Sequence, residues 1–397
     1  MRTFRGAPLP GVLLRALGLD LFAVLPVGLA GTLGVLATDD LGGSHAMAGL
    51  MVSAYFTLGS VSALLTGPVV DRMGWRSASA VGLILVGGSL TAPAFAHTTA
   101  ILVLSSACGG AGAAFIQPAT SALISNTLVP AQRSLAINLK MAAAPGAMLV
   151  AGLSMPLVAQ FLGWRETYQL ASMASGGALT LLAATKSPPA ILRAPAHGPR
   201  QFSRDKLLRE VWLVGSCVLL GALVPGVVVA FMIPALLDVG YSPPVAGAVF
   251  AALSAVTVLA RVCIALLADH PLLNSFRSVA FLMATSGVGV SLMMWRHQAP
   301  VLAGGALAFV AGFGWIGQTF ALAVRMSPSS PAAAAAAVQS GGMGGSALGP
   351  LLGAAAAEGF GLSTVWLLAA LAAACGATLL FLRPPPPAAP RKADRSA

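Results

Sequence analysis

The stretch GPVVDRMGWR, residues 67–76, lies where one long apolar run ends and the next begins, at about residues 46–70 and 78–96. It places three charges and two glycines within ten residues of a chain in which only 8% of residues are charged. Glycines and an acid at these spacings are not needed merely to orient a pair of membrane helices. We interpret the stretch as a specialised connection between two membrane spans. The simpler interpretation is a short basic turn.

Composition places the rest of the chain in lipid. Hydrophobic residues make up 57% of the 397 positions. A soluble domain has about a quarter of its residues charged, so this chain lacks the polar side chains that would cover a globular surface in water. We therefore predict an integral membrane protein.

The positive charge is distributed unevenly along the chain. A net charge of +11 would by itself also suit a nucleic-acid-binding protein. However, 18 of the 22 lysines and arginines fall in loops and ends on one side of the predicted membrane helices, and only Arg165 and Arg296 fall in loops on the other. The positive-inside rule then predicts that both chain termini lie in the cytoplasm. We expect the protein to lie in the cytoplasmic (inner) membrane. We assign the basic excess to orientation and lipid contact, and expect no nucleic-acid partner.

The apolar runs predict the number of helices. A helix crosses the hydrocarbon core of a bilayer in about 20 residues, and twelve runs qualify: 12–38, 46–70, 78–96, 99–122, 135–159, 167–185, 211–237, 244–268, 278–295, 301–324, 333–357 and 364–382. We predict an all-α integral membrane protein with twelve transmembrane helices in two pseudo-symmetric six-helix bundles. The predicted parts are residues 1–185, a cytoplasmic linker at 186–210, residues 211–382 and a disordered cytoplasmic tail at 383–397.

The two halves repeat at an offset of 198 residues. Asp71 and Asp269 each close an apolar span at this offset. Residues 163–171 align with residues 361–369 at the same offset, and they share a leading glycine, an aromatic residue and a Leu-Ala pair. Two unrelated landmarks with one offset favour a duplicated six-helix unit.

Position for position, residues 67–76 read G-x-x-x-D-R-x-G-x-R. This resembles the loop signature of the major facilitator superfamily, between the second and third transmembrane helices, at Gly67, Asp71, Arg72, Gly74 and Arg76. The resemblance implies two parallel halves about an axis normal to the membrane. It also implies a gating role for these residues, with the Asp71 carboxylate near the positive amino end of the eleventh helix.

The second half carries a partial copy of the signature. Asp269 stands at the position of the acid, while His270 and Ala265 replace the arginine and the leading glycine. Arg261 lies eight residues before Asp269, a spacing that resembles organic-anion members such as monocarboxylate and oxalate carriers. In those carriers the arginine contacts the substrate carboxylate. In the fourth span, Ser106 stands where many members of the family place an arginine tied to proton coupling.

Three ionisable residues lie well inside predicted spans, where a charge costs about 2.5–3.5 kcal/mol on insertion scales. Arg261 either contacts substrate or pairs with Asp269. Lys140 either has a function or extends its ammonium group to the lipid headgroups. Asp20 either carries a proton, if apolar surroundings raise its pKa, or forms a salt bridge to a base such as Lys140.

Uncharged polar residues within the spans are sparse. The candidates for ligand contacts or helix–helix hydrogen bonds are Gln117, Asn138, Gln318 and Gln339. Small residues that let helix backbones approach form a stripe in the eleventh span at Gly341, Gly345, Gly349 and Gly353. The sparse polar groups predict a mostly apolar central cavity with one or two cations, which fits a small organic anion better than a sugar.

The sequence therefore predicts a secondary active transporter that moves a small, partly hydrophobic organic anion by alternating access, with proton coupling. Uptake and export, and hence symport and antiport, stay open. The alternative is proton-driven export of lipophilic drugs. A polytopic membrane enzyme or sensor is less favoured, since no clustered catalytic set is visible. We expect a monomer. We expect no cofactor or metal, because the four cysteines lie in apolar runs and the five histidines do not cluster.

Overall fold

The computed structural model describes residues 9–44, 46–185, 206–267, 275–326 and 331–383. Within these ranges the chain is a bundle of long helices without strands, as predicted. The helices are α1 (Leu9–Asp40), α2 (Ala46–Met73), α3 (Trp75–Thr91), α4 (Thr99–Thr127), α5 (Pro130–Lys140 continued by Ala143–Ser154), α6 (Trp164–Ala184), α7 (Lys206–Asp238), α8 (Pro243–Leu266), α9 (Phe276–Met293), α10 (Gln298–Gly314 continued by Ile316–Met326), α11 (Pro331–Phe360) and α12 (Leu362–Phe381).

Ten helices within the described ranges are long and apolar enough to cross a membrane by length and composition. α6 and α11 complete the set of twelve. In lipid the helix is favoured because it satisfies every backbone polar group within one segment. The predicted linker lies outside the described residues up to position 205, and α7 already begins at Lys206.

Three predicted spans are interrupted. α3 tightens into a 3₁₀ turn at Ala92–Phe95, which contains Pro93. α5 breaks after Lys140 and passes through a π-helical turn at Met155–Ala159 that contains Pro156. Proline lacks the N–H that would continue the helical ladder, which accounts for the first and last of these irregularities. α10 is interrupted at Trp315.

The connection at residues 67–76 is mostly helical and not a loop. α2 continues through Asp71 to Met73, and α3 begins at Trp75. Gly74 alone makes the turn, with φ +78°. Glycine is favoured there because side chains with a β-carbon rarely adopt positive φ.

The 198-residue repeat reappears in the backbone. Gly42 and Gly240 follow α1 and α7 with φ +68° and +92°, and Gly163 and Gly361 precede α6 and α12 with φ +103° and +85°. Members of each pair are 198 positions apart. Equivalent turns therefore join equivalent helices in the two halves, α1–α6 and α7–α12. We call the side that holds these four turns the opposite face. The side where α1 begins and α12 ends is the terminal face.

The two halves close on each other near the opposite face through glycines. A β-carbon placed at Gly247 of α8 would lie 2.8 Å from the carbonyl oxygen of Gly152 on α5. A β-carbon at Gly49 of α2 would lie 2.8 Å from the carbonyl oxygen of Pro350 on α11. Gly247 is 198 positions after Gly49, and Pro350 is 198 positions after Gly152. The closure is therefore built twice, once on each side of the pseudo-symmetry axis.

The buried apolar residues are arranged differently toward the two faces. The largest cluster joins both halves, for example through Leu33 and Tyr55 of the first half and Phe231 and Phe250 of the second. Near the terminal face, the clusters within the described ranges each draw on one half. One contains Val214, Met283, Trp315 and Leu380, and another contains Val12, Leu123, Leu128 and Ala136. The halves thus share a core toward the opposite face and have separate cores toward the terminal face.

Two exposed ion pairs lie at the rim of the opposite face. Arg165 pairs with Asp40 at 2.5 Å, and Arg296 pairs with Asp238 at 2.6 Å. The hydrogen bonds and charge of Asp238 raise the pKa of Arg296. Ser44 Oγ, in the first half, donates to Glu358 Oε1 of the second half at 3.2 Å. Asp40 and Asp238, the last residues of α1 and α7, are again 198 positions apart.

We expect Gly247→Val to open the opposite face. The added side chain would meet the Gly152 carbonyl and the Met155 side chain, and overpacking of this kind costs about 1–3 kcal/mol. Such a cost changes the balance between two states of similar energy. Spin labels on cysteines at Phe161 and Phe360, both exposed, would report a longer distance between the halves. The control is Gly146→Val in α5, because no described atom lies within 4 Å of a β-carbon at Gly146. An unchanged distance in Gly247→Val would refute the closure.

Candidate functional site

A buried ion pair joins α1 and α5. Lys140 Nζ lies 3.3 Å from Asp20 Oδ2, and the two side chains are only 4% and 7% exposed. Lys140 is the last residue of the first segment of α5, and the helix resumes at Ala143. The structure therefore brings together two of the three predicted intramembrane charges.

Helix α4 supplies further partners for this ion pair. Thr120 Oγ1 donates to Asp20 Oδ1 at 2.7 Å. Lys140 Nζ donates to the backbone carbonyl oxygen of Gln117 and to Ser121 Oγ, each at 2.7 Å. With Asp20, the ammonium group has three oxygen acceptors for its three protons. The network is neutral as a whole and closely satisfied.

Arg261 of α8 has a different environment. Its side chain is buried, and its Nε atom has no hydrogen-bond partner within the described ranges. Asp269, which could pair with it, lies outside the described residues. A buried donor without a partner carries its full desolvation cost, which is larger for charged groups than for neutral ones.

Helix register puts Arg261 at the same depth as Lys140. α5 and α8 touch at Gly152, which approaches Gly247 and Ala251. From that contact toward the terminal face, Lys140 is twelve residues along α5, and Arg261 is ten to fourteen residues along α8. At 1.5 Å per residue, both positions lie about 18 Å below the contact. The Asp20–Lys140 pair in one half thus stands level with the Arg261 cation in the other.

Two predicted polar residues lie on the facing stretches of α5 and α10. Asn138 Oδ1 lies 3.5 Å from a β-carbon placed at Gly317, so the halves approach each other here as well. Gln318, the next residue, is buried, and neither its Oε1 nor its Nε2 has a hydrogen-bond partner within the described part of the chain. Gln117 and Gln339 are half-buried. Lys140 contacts Gln117 through the backbone carbonyl of that residue and not through its side chain.

The residues of the signature stretch lie at the terminal face. Asp71 and Arg72 are exposed. Arg76 Nη2 donates to the carbonyl oxygens of Leu182 and Ala183, each at 2.7 Å, and so caps the end of α6. The described residues before α11 end at 326, and the side chains of its first turn are not described. The predicted contact between Asp71 and the amino end of α11 therefore stays a prediction, as does any role of Asp269.

The glycine stripe of α11 lies against α7. β-Carbons placed at Gly341, Gly345 and Gly349 would lie 2.2, 2.1 and 2.6 Å from the carbonyl oxygens of Gly215, Leu219 and Leu223. A β-carbon at Gly353 would meet the Phe231 ring at 2.7 Å. The absence of side chains at these positions lets the two helix backbones touch, as lipid-embedded helices require.

Some polar contacts among α1, α2, α4 and α5 were not predicted. Thr120 and Ser121 complete the ion-pair network, and Ser106 Oγ donates to the carbonyl oxygen of Met51 on α2 at 2.8 Å. Tyr55 donates to the carbonyl oxygen of Ala23 at 2.8 Å. Serine and threonine also bond to their own helix, so only the packing of α4 against α1 and α2 identifies these contacts. Within the described residues, no group of three or more His, Cys, Asp or Glu could hold a metal ion.

Comparisons with known proteins agree on one family. The model of the Major Facilitator Superfamily matches residues 16–332. The fold resembles a bacterial homologue of the human lysosomal transporter Spinster in an inward-facing, unoccupied conformation, with TM-score 0.73, 17% identity, and coverage of 94% of this chain and 96% of that one. The occupied, inward-facing form of a bacterial Spinster homologue matches with TM-score 0.71, 15% identity and the same coverage. No curated protein sequence matches the chain.

The ion pair yields a test by double-mutant cycle. We expect Lys140→Met, and separately Asp20→Asn, to lower the free energy of unfolding by about 3–5 kcal/mol, because each leaves the partner buried without its counterpart. The double variant should be more stable than the sum of the single losses predicts. Unfolding in detergent, followed by circular dichroism, gives these values. Asp40→Asn is the control, since its pair with Arg165 is exposed and is expected to contribute only about 0–1 kcal/mol. Additive losses would contradict the pairing.

Proposed function

The chain belongs to the major facilitator superfamily, and we propose that it carries a small organic anion with a hydrophobic body. Members of this family are secondary transporters whose two halves rock about a central site. The single observation that supports an anion is Arg261. It is a buried cation with an unpartnered donor, on the helix that meets α5 of the other half and level with Lys140.

The chemistry of Arg261 favours a carboxylate. The guanidinium group is planar and presents its donors in a fork that matches the two oxygens of a carboxylate. A ligand of this kind would supply the acceptor that Nε lacks within the described ranges. The sparse polar residues of the spans favour an otherwise apolar cavity, which fits a substrate whose remaining part is apolar.

The Asp20–Lys140 pair is the proposed coupling site. If Asp20 takes up a proton, its attraction for Lys140 is lost, and the pair gains a net positive charge across from Arg261. An anion is then attracted from the open side, and its arrival with a proton is nearly electroneutral. The direct support is geometric: Lys140 lies at the depth of Arg261 and is 3.3 Å from the Asp20 carboxylate.

We further propose that the terminal face is cytoplasmic, with both chain ends inside the cell in the inner membrane. The structure then corresponds to the inward-facing state, since the halves share a core toward the opposite face. We expect Asp71 and Asp269 to contact the other half near the terminal face when the two halves close there. The proposed parts are the halves 1–185 and 211–382, the linker 186–210 and the tail 383–397.

Proton-driven export of lipophilic drugs is the competing proposal, and the charge arrangement favours it less for cationic drugs. A cationic drug needs a carboxylate whose charge is not already balanced. Asp20 accepts from Thr120 and pairs with Lys140, while Arg261 is a charged group at this depth whose Nε has no described partner. The charge left for a ligand to balance is therefore positive, which favours an anion.

The function is tested by Arg261 variants in proteoliposomes. We expect Arg261→Lys to weaken transport of a panel of monocarboxylates about 10- to 150-fold, the equivalent of a charge-assisted hydrogen bond of about 1.5–3 kcal/mol. Lysine keeps the charge but lacks the planar fork. We expect Arg261→Ala to abolish transport. The matched control is Arg277→Lys, because Arg277 lies over the Phe381 ring near the terminal face.

A structural role for Arg261 would give a different result. If the arginine only pairs with Asp269, the double variant Arg261→Ala with Asp269→Ala should recover transport. Recovery would refute substrate binding and favour drug export. Cationic dyes tested on the same variants would then show transport that does not depend on Arg261.

A further inference from the structure

We propose that Gln318 is a second substrate-recognition group, and that the substrate is a carboxylate with a neutral hydrogen-bonding group at the far end of its apolar body. This inference rests on the proposed function, because Arg261 must bind the carboxylate. It goes further by identifying the chemistry of the other end of the substrate.

The first observation is the unsatisfied amide. Gln318 is 9% exposed, and both Oε1 and Nε2 lack hydrogen-bond partners within the described part of the chain. The neighbouring buried threonines are satisfied within their own helices, whereas the Trp315 indole N–H, like the Gln318 amide, has no described partner. Thr319 donates to the carbonyl oxygen of Trp315 at 3.0 Å, and Thr257 donates to that of Leu253 at 2.8 Å. An amide with two donors and an acceptor needs more partners than one carbonyl of its own helix can supply, and its lack of any described partner favours an external one.

The second observation is the position of Gln318 relative to Arg261. A β-carbon placed at Gly314 of α10 would lie 3.3 Å from Ile264 Cδ1 of α8, so these residues mark where the two helices touch. Arg261 precedes Ile264 by three residues, and Gln318 follows Gly314 by four. Arg261 and Ile264 share a face of α8, because residues three apart lie on one face of a helix. Gln318 lies in the next segment of α10, past the interruption at Trp315. Arg261 and Gln318 therefore lie on opposite sides of the Ile264–Gly314 contact along the helix axes.

The helix rise sets the length of the substrate. α8 and α10 run in the same direction, from the opposite face to the terminal face. The three residues on α8 and four on α10 add to an axial offset of about 10 Å. A ligand that spans this offset would place its carboxylate at Arg261 and lay its apolar middle over Ile264 and Gly314. Its far end would then reach the amide of Gln318.

The amide selects a neutral hydrogen-bonding group. Its N–H donors and carbonyl acceptor suit a hydroxyl, carbonyl or carboxamide group equally well. An analogue without that group would leave the amide unpaired in the complex, and sites of this kind discriminate against such analogues more strongly than apolar pockets do. Gly317, beside Gln318, lies next to Asn138 of α5, so the far end of the ligand would sit where the two halves meet.

Binding of two matched ligand pairs tests this inference. The probes are octanoate with its ω-hydroxy derivative, and butanoate with its ω-hydroxy derivative, titrated by calorimetry into the purified full-length protein. We expect wild type to prefer ω-hydroxyoctanoate over octanoate about tenfold, as one satisfied hydrogen bond predicts. The butanoate pair should show no preference, since its chain is too short to reach from Arg261 to Gln318.

Two variants separate this inference from the proposed function. Gln318→Met should remove the tenfold preference, so that it binds octanoate and ω-hydroxyoctanoate equally. Arg261→Lys should weaken both octanoate ligands and keep their ratio. Equal binding of the octanoate pair by wild type, with Arg261→Lys still defective, would overturn the role of Gln318 alone. Carboxylate binding that is unchanged in Arg261→Lys would overturn the proposed function.

Thermal stability gives an independent readout. A buried amide without a partner destabilises the ligand-free protein, so Gln318→Met should have a Tm equal to or higher than that of wild type. Gln298→Met is the control, because the Gln298 side chain donates to the carbonyl oxygen of Val239 at the opposite face and is remote from the site. A clearly lower Tm for Gln318→Met would mean that the amide has a structural partner, and would overturn the proposal.

Discussion

The bilayer core offers no water to polar groups, so each one must find its partner inside the protein. Most described groups in this chain do so. Asp20 and Lys140 satisfy each other with the help of Thr120 and Ser121. Arg261 and Gln318 are among the described residues whose buried polar atoms have no described partner, and they lie on α8 and α10, which meet α5 of the other half. The same constraint that makes such groups costly makes them informative, since a substrate can supply what the fold does not.

A second constraint concerns how the halves meet. Helices in lipid associate through close backbone packing, and here the contacts between halves repeat at the 198-residue offset of the duplicated unit. Gly247 against Gly152 has its counterpart in Gly49 against Pro350. Smooth contacts of this kind can separate without breaking strong polar bonds. At the rim, the pair of Asp40 with Arg165 joins two helix ends within one half, whereas Ser44 donates to Glu358 across the two halves.

Much of the fold could be predicted from the sequence, because apolar runs of membrane length and one dense motif are local signals. The offset of the repeat, read from aligned residues 163–171 and 361–369, reappears as paired glycine turns. The candidate site was harder to predict from the sequence. Asp20 and Lys140 are 120 residues apart, and the sequence left open whether they pair. Their partners on α4 include a backbone carbonyl, which no side-chain pattern reveals. The break of α5 beside Lys140 was not predicted either, although Pro145 lacks the N–H that would bond to the Met141 carbonyl.

The central claim is that the Arg261 guanidinium group binds a carboxylate directly. The nitrogen-15 resonance of the Arg261 Nε–H group, assigned by its loss in Arg261→Lys, reports on that atom alone. On titration of arginine-labelled protein with octanoate, we predict that this resonance shifts in a saturable way while the other arginine resonances stay in place. A resonance that does not move, in protein that still transports octanoate, would contradict the account.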